Sequence, residues 1–236
     1  MKRTLSLLVV LGLGCGGGGL KVKVNTAKVA QVKKIAVVGN CQATGVAIDI
    51  PATNVYEDPP WGPELLPFET AAFNETFAQS FKTAQVVTLE AAVAAGAPKG
   101  EKADPKIMVC AGELNPFKGK NPDVATMKAM AEKLDVDAVI AVFFRMSIKS
   151  SIKGAAAAAS TGYQPLVFVV DRSGEMIAKG SGKGETARIE HLQVSPTNLG
   201  MGLGTFATPE QLKALGSMYG KLMAEQFAAA LAGQKG

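Results

Sequence analysis

The apolar positions of this chain recur with two different periods, and the switch between them predicts its elements. Residues 32–38, VKKIAVV, form a short apolar run before Gly39 and Asn40, which predicts a first core strand ending there. Residues 42–50 predict a second. Five prolines between positions 51 and 67 predict a loop that carries the single tryptophan, Trp61. Phe73, Phe77 and Phe81 then recur every four residues, which predicts a helix over 68–81 with three rings on its core side. Short strands are predicted over 85–89 and 107–110, with a turn or two of helix over 91–95 between them. Asn121 followed by Pro122 reads as an N-cap and first helical position. Val124, Met127, Ala131 and Leu134 give the helix behind it one apolar face.

Residues 137–152 carry the clearest strand pattern. Ile140, Val142, Phe144, Met146, Ile148 and Ile152 share one face, while Arg145, Ser147 and Lys149 share the other, so one side is expected to be buried and the other partly wet. Residues 154–162, with five consecutive alanines, are expected to be a pliant hairpin loop. Residues 166–170 return as a strand, Asp171-Arg172-Ser173-Gly174 turns, and residues 175–179 pair back. One further strand is expected near 186–192. Thr208, Pro209 and Gln211 fit a capping box. Leu212, Leu215, Tyr219, Leu222, Gln226 and Ala230, widened by Met218, Met223 and Phe227, then predict a final helix that covers the sheet. The sum is an α/β (α+β) fold, one domain over 32–236, with a single mixed sheet, an antiparallel hairpin portion and three main helices. No repeat of solenoid length occurs.

The first residues change the picture. Lys2 and Arg3 precede a run over 5–14 with five leucines and two valines, the form of a secretory signal over 1–14, too short to span a bilayer. Leu11-Gly12-Leu13-Gly14-Cys15 resembles the lipobox of bacterial lipoproteins, with Gly12 and Leu13 displaced by one from the usual pattern. The resemblance implies lipidation at Cys15, and Gly16 after it implies the outer membrane, facing the periplasm. Residues 15–31 are expected to be a tether: Gly16 to Gly19 offer no side chain to pack. Lys21, Lys23, Lys28, Lys33 and Lys34 follow, as a solvated linker face or as attraction to an anionic bilayer. Loss of Lys2 and Arg3 lowers the formal net charge from +5 to +3, and the phenylalanines lie at helix spacing, so no nucleic-acid partner is expected.

Leu134, Asp135, Val136, Asp137 and Ala138, leading from a helix into the long strand, and the Ser173-Gly174-Glu175 hairpin resemble a group of envelope proteins. The group comprises the TolB N-terminal domain, LpoB and CsgG. The likeness runs over about 32–232 and implies a fold; its motifs are turns and carry no catalytic residue. It implies an accessory or assembly lipoprotein that contacts an envelope protein, with homo-oligomers compatible. The alternative is a small-ligand or glycan binder at the Trp61 loop.

Candidate chemistry is sparse. His191 is the only histidine, and neither CxxC nor HExxH occurs, so no metal and no cofactor are expected. Cys41 and Cys110 remain after export. They are read as a disulfide joining two neighbouring parallel strands, against buried free thiols or a thiol nucleophile beside His191. Gly200, Gly202 and Gly204 before the last helix are read as a mobile loop rather than an anion site. Asp135 and Asp137 are read as capping or turn residues. No enzyme is expected.

Overall fold

The computed structural model describes residues 20–44, 46–50, 53–57, 62–153, 156–182, 187–189, 193–194, 205–206 and 209–233. The chain opens with β1 (Lys21–Val24), α1 (Thr26–Val29), β2 (Lys34–Ala43), β3 (Val46–Ile50) and β4 (Thr53–Glu57). It continues through α2 (Gly62–Ser80), β5 (Gln85–Val87), α3 (Leu89–Ala94), β6 (Met108–Cys110) and a 3-10 turn at Ala111–Glu113. Then come β7 (Phe117–Lys118), β8 (Asn121–Pro122), α4 (Val124–Leu134), β9 (Ala138–Lys153), β10 (Ala156–Asp171) and β11 (Met176–Ser181). The last elements are β12 (Ala187–Ile189), β13 (Gln193–Val194), β14 (Thr205–Phe206) and α5 (Pro209–Leu231).

One mixed, mostly antiparallel sheet runs in the order β1-β11-β10-β9-β2-β5, and β7–β8 and β13–β14 form two small ribbons. The expected fold class is therefore found, with three helices longer than two turns. β9 and β10 pair along their full length, from Ala138↔Asp171 to Lys153↔Ala156. β2 runs parallel to the first half of β9, and β3 runs parallel to it further on. β6 lies antiparallel on the other side of β2.

Several expectations are corrected. β2 does not stop at Gly39: the register steps between Val37 and Gly39, leaving Val38 as the extra residue of a bulge, and the strand continues to Ala43. The residues 156–162 expected to loop are strand, because pairing with β9 outweighs the weak β-propensity of alanine. Helix α2 starts at Gly62, so Pro63 and Pro67 lie within it; Pro63 falls in the first turn, where its missing N–H forfeits nothing, whereas Pro67 lies past that turn and removes the helical bond to the Pro63 carbonyl. Asn121 and Pro122 belong to a ribbon, and Asp123 caps α4 by accepting from Thr126 N at 3.3 Å. Val32 is not where the packed chain starts. β1 pairs with β11, and Val29 is buried, so part of the expected tether is structure.

The sheet is covered on both faces. Phe117 sets its ring edgewise against Phe143 (5.7 Å) and Phe168 (6.1 Å) on the face that α4 covers. On the opposite face α2 and α5 pack side by side, with Phe73, Phe77 and Phe81 stacked in series and Phe227 against Phe77 at 6.2 Å. Phe143 is as buried as Phe144, so the half-wet strand is corrected to one buried on both sides through this stretch. Gly216 and Gly220 bring the two helices close: a Cβ on Gly220 would lie 2.3 Å from the Glu69 carbonyl oxygen. The buried stripe of α5 is Leu212, Leu215, Tyr219, Met223, Phe227 and Leu231, while Met218 is 40% exposed.

Turns hold the ends. Asp135 closes α4 in the left-handed region (φ 50°), where aspartate is tolerated better than most residues, and accepts from Arg172 at 2.7 Å. The Asp137 carboxylate accepts from Lys33 N and Lys34 N at 2.8 and 2.9 Å, fixing the start of β2 beside β9. These two aspartates are turn and strand-start anchors, as the sequence suggests. Asp171 accepts from Ser173 N and Glu175 N, both at 2.9 Å, and gives the 171–175 turn its shape. Desolvation pushes the Asp171 carboxyl up, but these bonds and the Lys28 charge together hold it below the ordinary range.

Candidate functional site

The bulge in β2 decides what faces where. After it, Gly39 sits opposite Ala141 and Cys41 opposite Phe143, on the Phe117 side; a Cβ on Gly39 would lie 2.4 Å from Pro116 Cγ. Alternation then turns Asn40, Gln42 and Thr44 toward the α2 side. All three are buried, and neither the two amides nor the Thr44 hydroxyl has a hydrogen-bond partner. Across the same interface, α2 contributes Glu69 and Thr70, also buried and also without partners. Unpartnered buried polar groups are few in native proteins because each costs about 1–3 kcal/mol. The five come from β2, the residue just after it and α2, elements that pack against each other.

Glu69 is fully buried, and desolvation pushes its carboxyl up from an ordinary 4.5 to about 8. It is therefore protonated at neutral pH. Its backbone is clasped by Gly216 and Gly220, so its position is fixed from the α5 side. Its carboxyl is sealed from solvent in this conformation.

Beside this layer, a cleft of about 660 Å³ opens between α2, α3 and β6. Its floor is Leu66, Thr70 and Leu89, all buried. Val93 and Val109 form apolar walls, with Cys110 of the disulfide between β6 and the turn at 111–113. Glu90 is the one charged residue among the described residues lining it. Thr88 caps α3 by accepting from Ala91 N at 3.4 Å, and Asn74 on α2 accepts from Leu89 N at 3.4 Å, so the two helices are tied where the cleft begins. Gly112 lies in the left-handed region, and a Cβ there would meet Val93 at 2.8 Å. The size and apolar lining are those of a binding site for a small molecule.

Cys41 and Cys110 are joined by a disulfide, directly opposite each other with Cα atoms 4.0 Å apart. The bridge was expected between parallel strands; β2 and β6 are antiparallel, and each cysteine lies within its strand rather than beyond it. The pairing excludes a Cys41 or Cys110 thiol nucleophile in this state. Cys15, Trp61, His191, Gly200, Gly202 and Gly204 lie outside the described residues, as does Thr208. Lys28 is 3.1 Å from Glu175 and 3.5 Å from Asp171, and the hydrogen bond and charge of Glu175 hold its ammonium above the ordinary value. Among the described residues no group of three or more His, Cys, Asp or Glu side chains could hold a metal ion, and no helix is long and apolar enough to cross a membrane.

Glu69 was legible and missed: it lies four residues before Phe73, on the same stripe as Phe77 and Phe81. The pair Gly216 and Gly220, four apart, was a second unread signal.

No known family matches this chain, and no curated protein matches it. Among solved structures, it is similar to the PelC dodecamer from Paraburkholderia phytofirmans, at 9% identity and a TM-score of 0.35, over 89% of this chain and 97% of that one. A dodecamer of a point variant of PelC from the same organism matches at 12% identity and a TM-score of 0.31, over 88% and 99%. The hypothetical protein CT253 from Chlamydia trachomatis matches at 11% identity and a TM-score of 0.34, over 86% and 99%. Scores this low carry no argument about activity.

Proposed function

We propose that this chain is a non-enzymatic lipoprotein of a bacterial cell envelope, anchored at the outer membrane by acyl groups on Cys15 and facing the periplasm, where it acts as an accessory or assembly factor on another envelope protein. The observation that carries the reading is the Cys41–Cys110 disulfide behind a signal-like N-terminus. Structural disulfides persist in oxidising compartments and are rare where thiols are kept reduced. The resemblance of the 134–138 and 173–175 turns to the TolB, LpoB and CsgG group supports the accessory role.

Two measurements test the two halves of the proposal. Labelled fatty acid should enter the wild-type protein and not the Cys15→Ser variant; uptake by the variant, or none by the wild type, refutes the anchor. Affinity capture from crosslinked cells should recover one stoichiometric envelope protein. Efficient crosslinking that recovers none refutes the accessory role.

A further inference from the structure

The cleft between α2, α3 and β6 is held open by contacts that do not depend on a ligand. Its β6 wall is fixed to β2 by the disulfide, and its α2 wall is clasped to α5 through Gly216 and Gly220. Preformed walls reduce the ordering cost of binding. Val93 stands 40% exposed in the wall, apolar surface that an occupant would cover. On the floor, Thr70 is only 5% exposed and its hydroxyl has no partner. Among the described residues that line the cleft, Glu90 is the lone charge and none is a lysine or arginine. The Glu90 Oε1 accepts from Asn74 Nδ2 at 3.4 Å, which orients the carboxylate without neutralising it.

We propose that this cleft binds a small apolar molecule ending in a cationic group, of the alkylammonium or arylalkylammonium class. The hydrocarbon lies on Leu66, Leu89, Val93 and Val109, and the ammonium sits toward Glu90. A fatty acid or other anionic amphiphile would bring like charge to Glu90 and find no cation among the described lining residues to offset it. The chain as a whole is positively charged, +5 by formal count and +3 without residues 1–14. A general field effect would therefore favour the anion, and a preference for the cation has to come from the cleft itself. The proposal is independent of the anchor and of any protein partner.

The test uses exported Cys15→Ser protein purified without detergent, titrated calorimetrically with n-octylammonium chloride and with sodium octanoate below their micellar concentrations. Octylammonium is expected to bind about fivefold or more tightly than octanoate, the effect of one partly exposed charge acting on opposite signs. Glu90→Lys should invert that order. Ala94→Trp, a substitution at an exposed lining position of α3, should abolish binding while circular dichroism and the melting temperature show the fold retained. No octylammonium binding at about millimolar concentration would overturn the proposal. So would octanoate binding as tightly to the wild type, unchanged binding to a folded Ala94→Trp variant, or an unaltered preference in Glu90→Lys.

Discussion

Replacing Glu69 by glutamine keeps the shape of the side chain and removes its titration, which isolates what a buried, unpartnered carboxyl does to stability. In the folded protein the group ionises near pH 8, against an ordinary 4.5 in the unfolded chain. Between those two values the folded state holds a proton that the unfolded state has released, so stability falls as pH rises. Below the lower value both states are protonated, and above the upper both are ionised; the curve is flat at each end. At about 1.4 kcal/mol per pH unit, the loss reaches about 3 kcal/mol at pH 7 and about 5 kcal/mol at pH 8. Glu69→Gln should therefore match the wild type near pH 4 and exceed it by about 3 kcal/mol at pH 7. Glu69→Met, which also removes the unpartnered polar atoms, should add about 1–3 kcal/mol at every pH. Urea unfolding of the three proteins at steps from pH 4 to 9 reads the differences directly. Carboxylates elsewhere titrate equally in all three and cancel. A difference between wild type and Glu69→Gln that stays the same across that range would show that Glu69 is not both sealed and unpartnered, and the account of the α2 layer would fall with it.

The other predictions concern packing and the bridge. Reduction, or Cys41→Ala with Cys110→Ala, opens a loop with a sequence separation of 69 and should cost about 4 kcal/mol in the chain-entropy account; an unchanged denaturation midpoint would refute it. Gly220→Ala places a Cβ 2.3 Å from the Glu69 carbonyl oxygen and should cost about 3 kcal/mol, more than Gly216→Ala, whose nearest neighbours, Phe68 Cβ and the Leu65 carbonyl oxygen, lie farther off at 2.9 and 3.0 Å; equal melting temperatures would mean that the helices separate freely. Phe143→Ala and Phe144→Ala should each cost about 3–5 kcal/mol, because both rings are buried on covered faces. A mild effect of Phe143→Ala by the same urea assay would return its face to solvent.

How much of this was readable depended on whether a signal was local. The phenylalanine stripe of α2, the long alternating strand β9 and the 171–175 turn follow from neighbouring residues, and they stand where the spacing puts them. The helix start before Phe68 was hidden by prolines: Pro63 suits a first turn, but Pro67 has the pattern of a helix breaker and is nevertheless carried inside α2. On α5, large side chains drew the predicted stripe toward Met218 and Leu222, whereas Gly216 and Gly220 mark the face that approaches α2. Small residues give little signal in a hydrophobic pattern even where they set the closest contact. The cleft could not be read at all, since α2, α3 and β6 each contribute a few ordinary residues separated by intervening chain. Nor could the polar row of Asn40, Gln42 and Thr44, whose direction depends on one extra residue in β2.

The cross-strand bridge also sets a problem of order during folding. Under the proposed export, three cysteines emerge in sequence, Cys15, then Cys41, then Cys110. The first pair able to meet is the wrong one, and its loop is shorter than the native loop. Loop-closure entropy favours the shorter closure by about 1 kcal/mol, several-fold in rate or population, before any strand has formed. Native register reverses that preference only once β6 has docked against β2 and Cys110 faces Cys41. If Cys15 is lipidated as proposed, and before Cys110 is exported, that thiol is out of the competition when the choice arises. The anchor would then serve as a protecting group as well as a tether, leaving Cys110 as the sole thiol partner for Cys41.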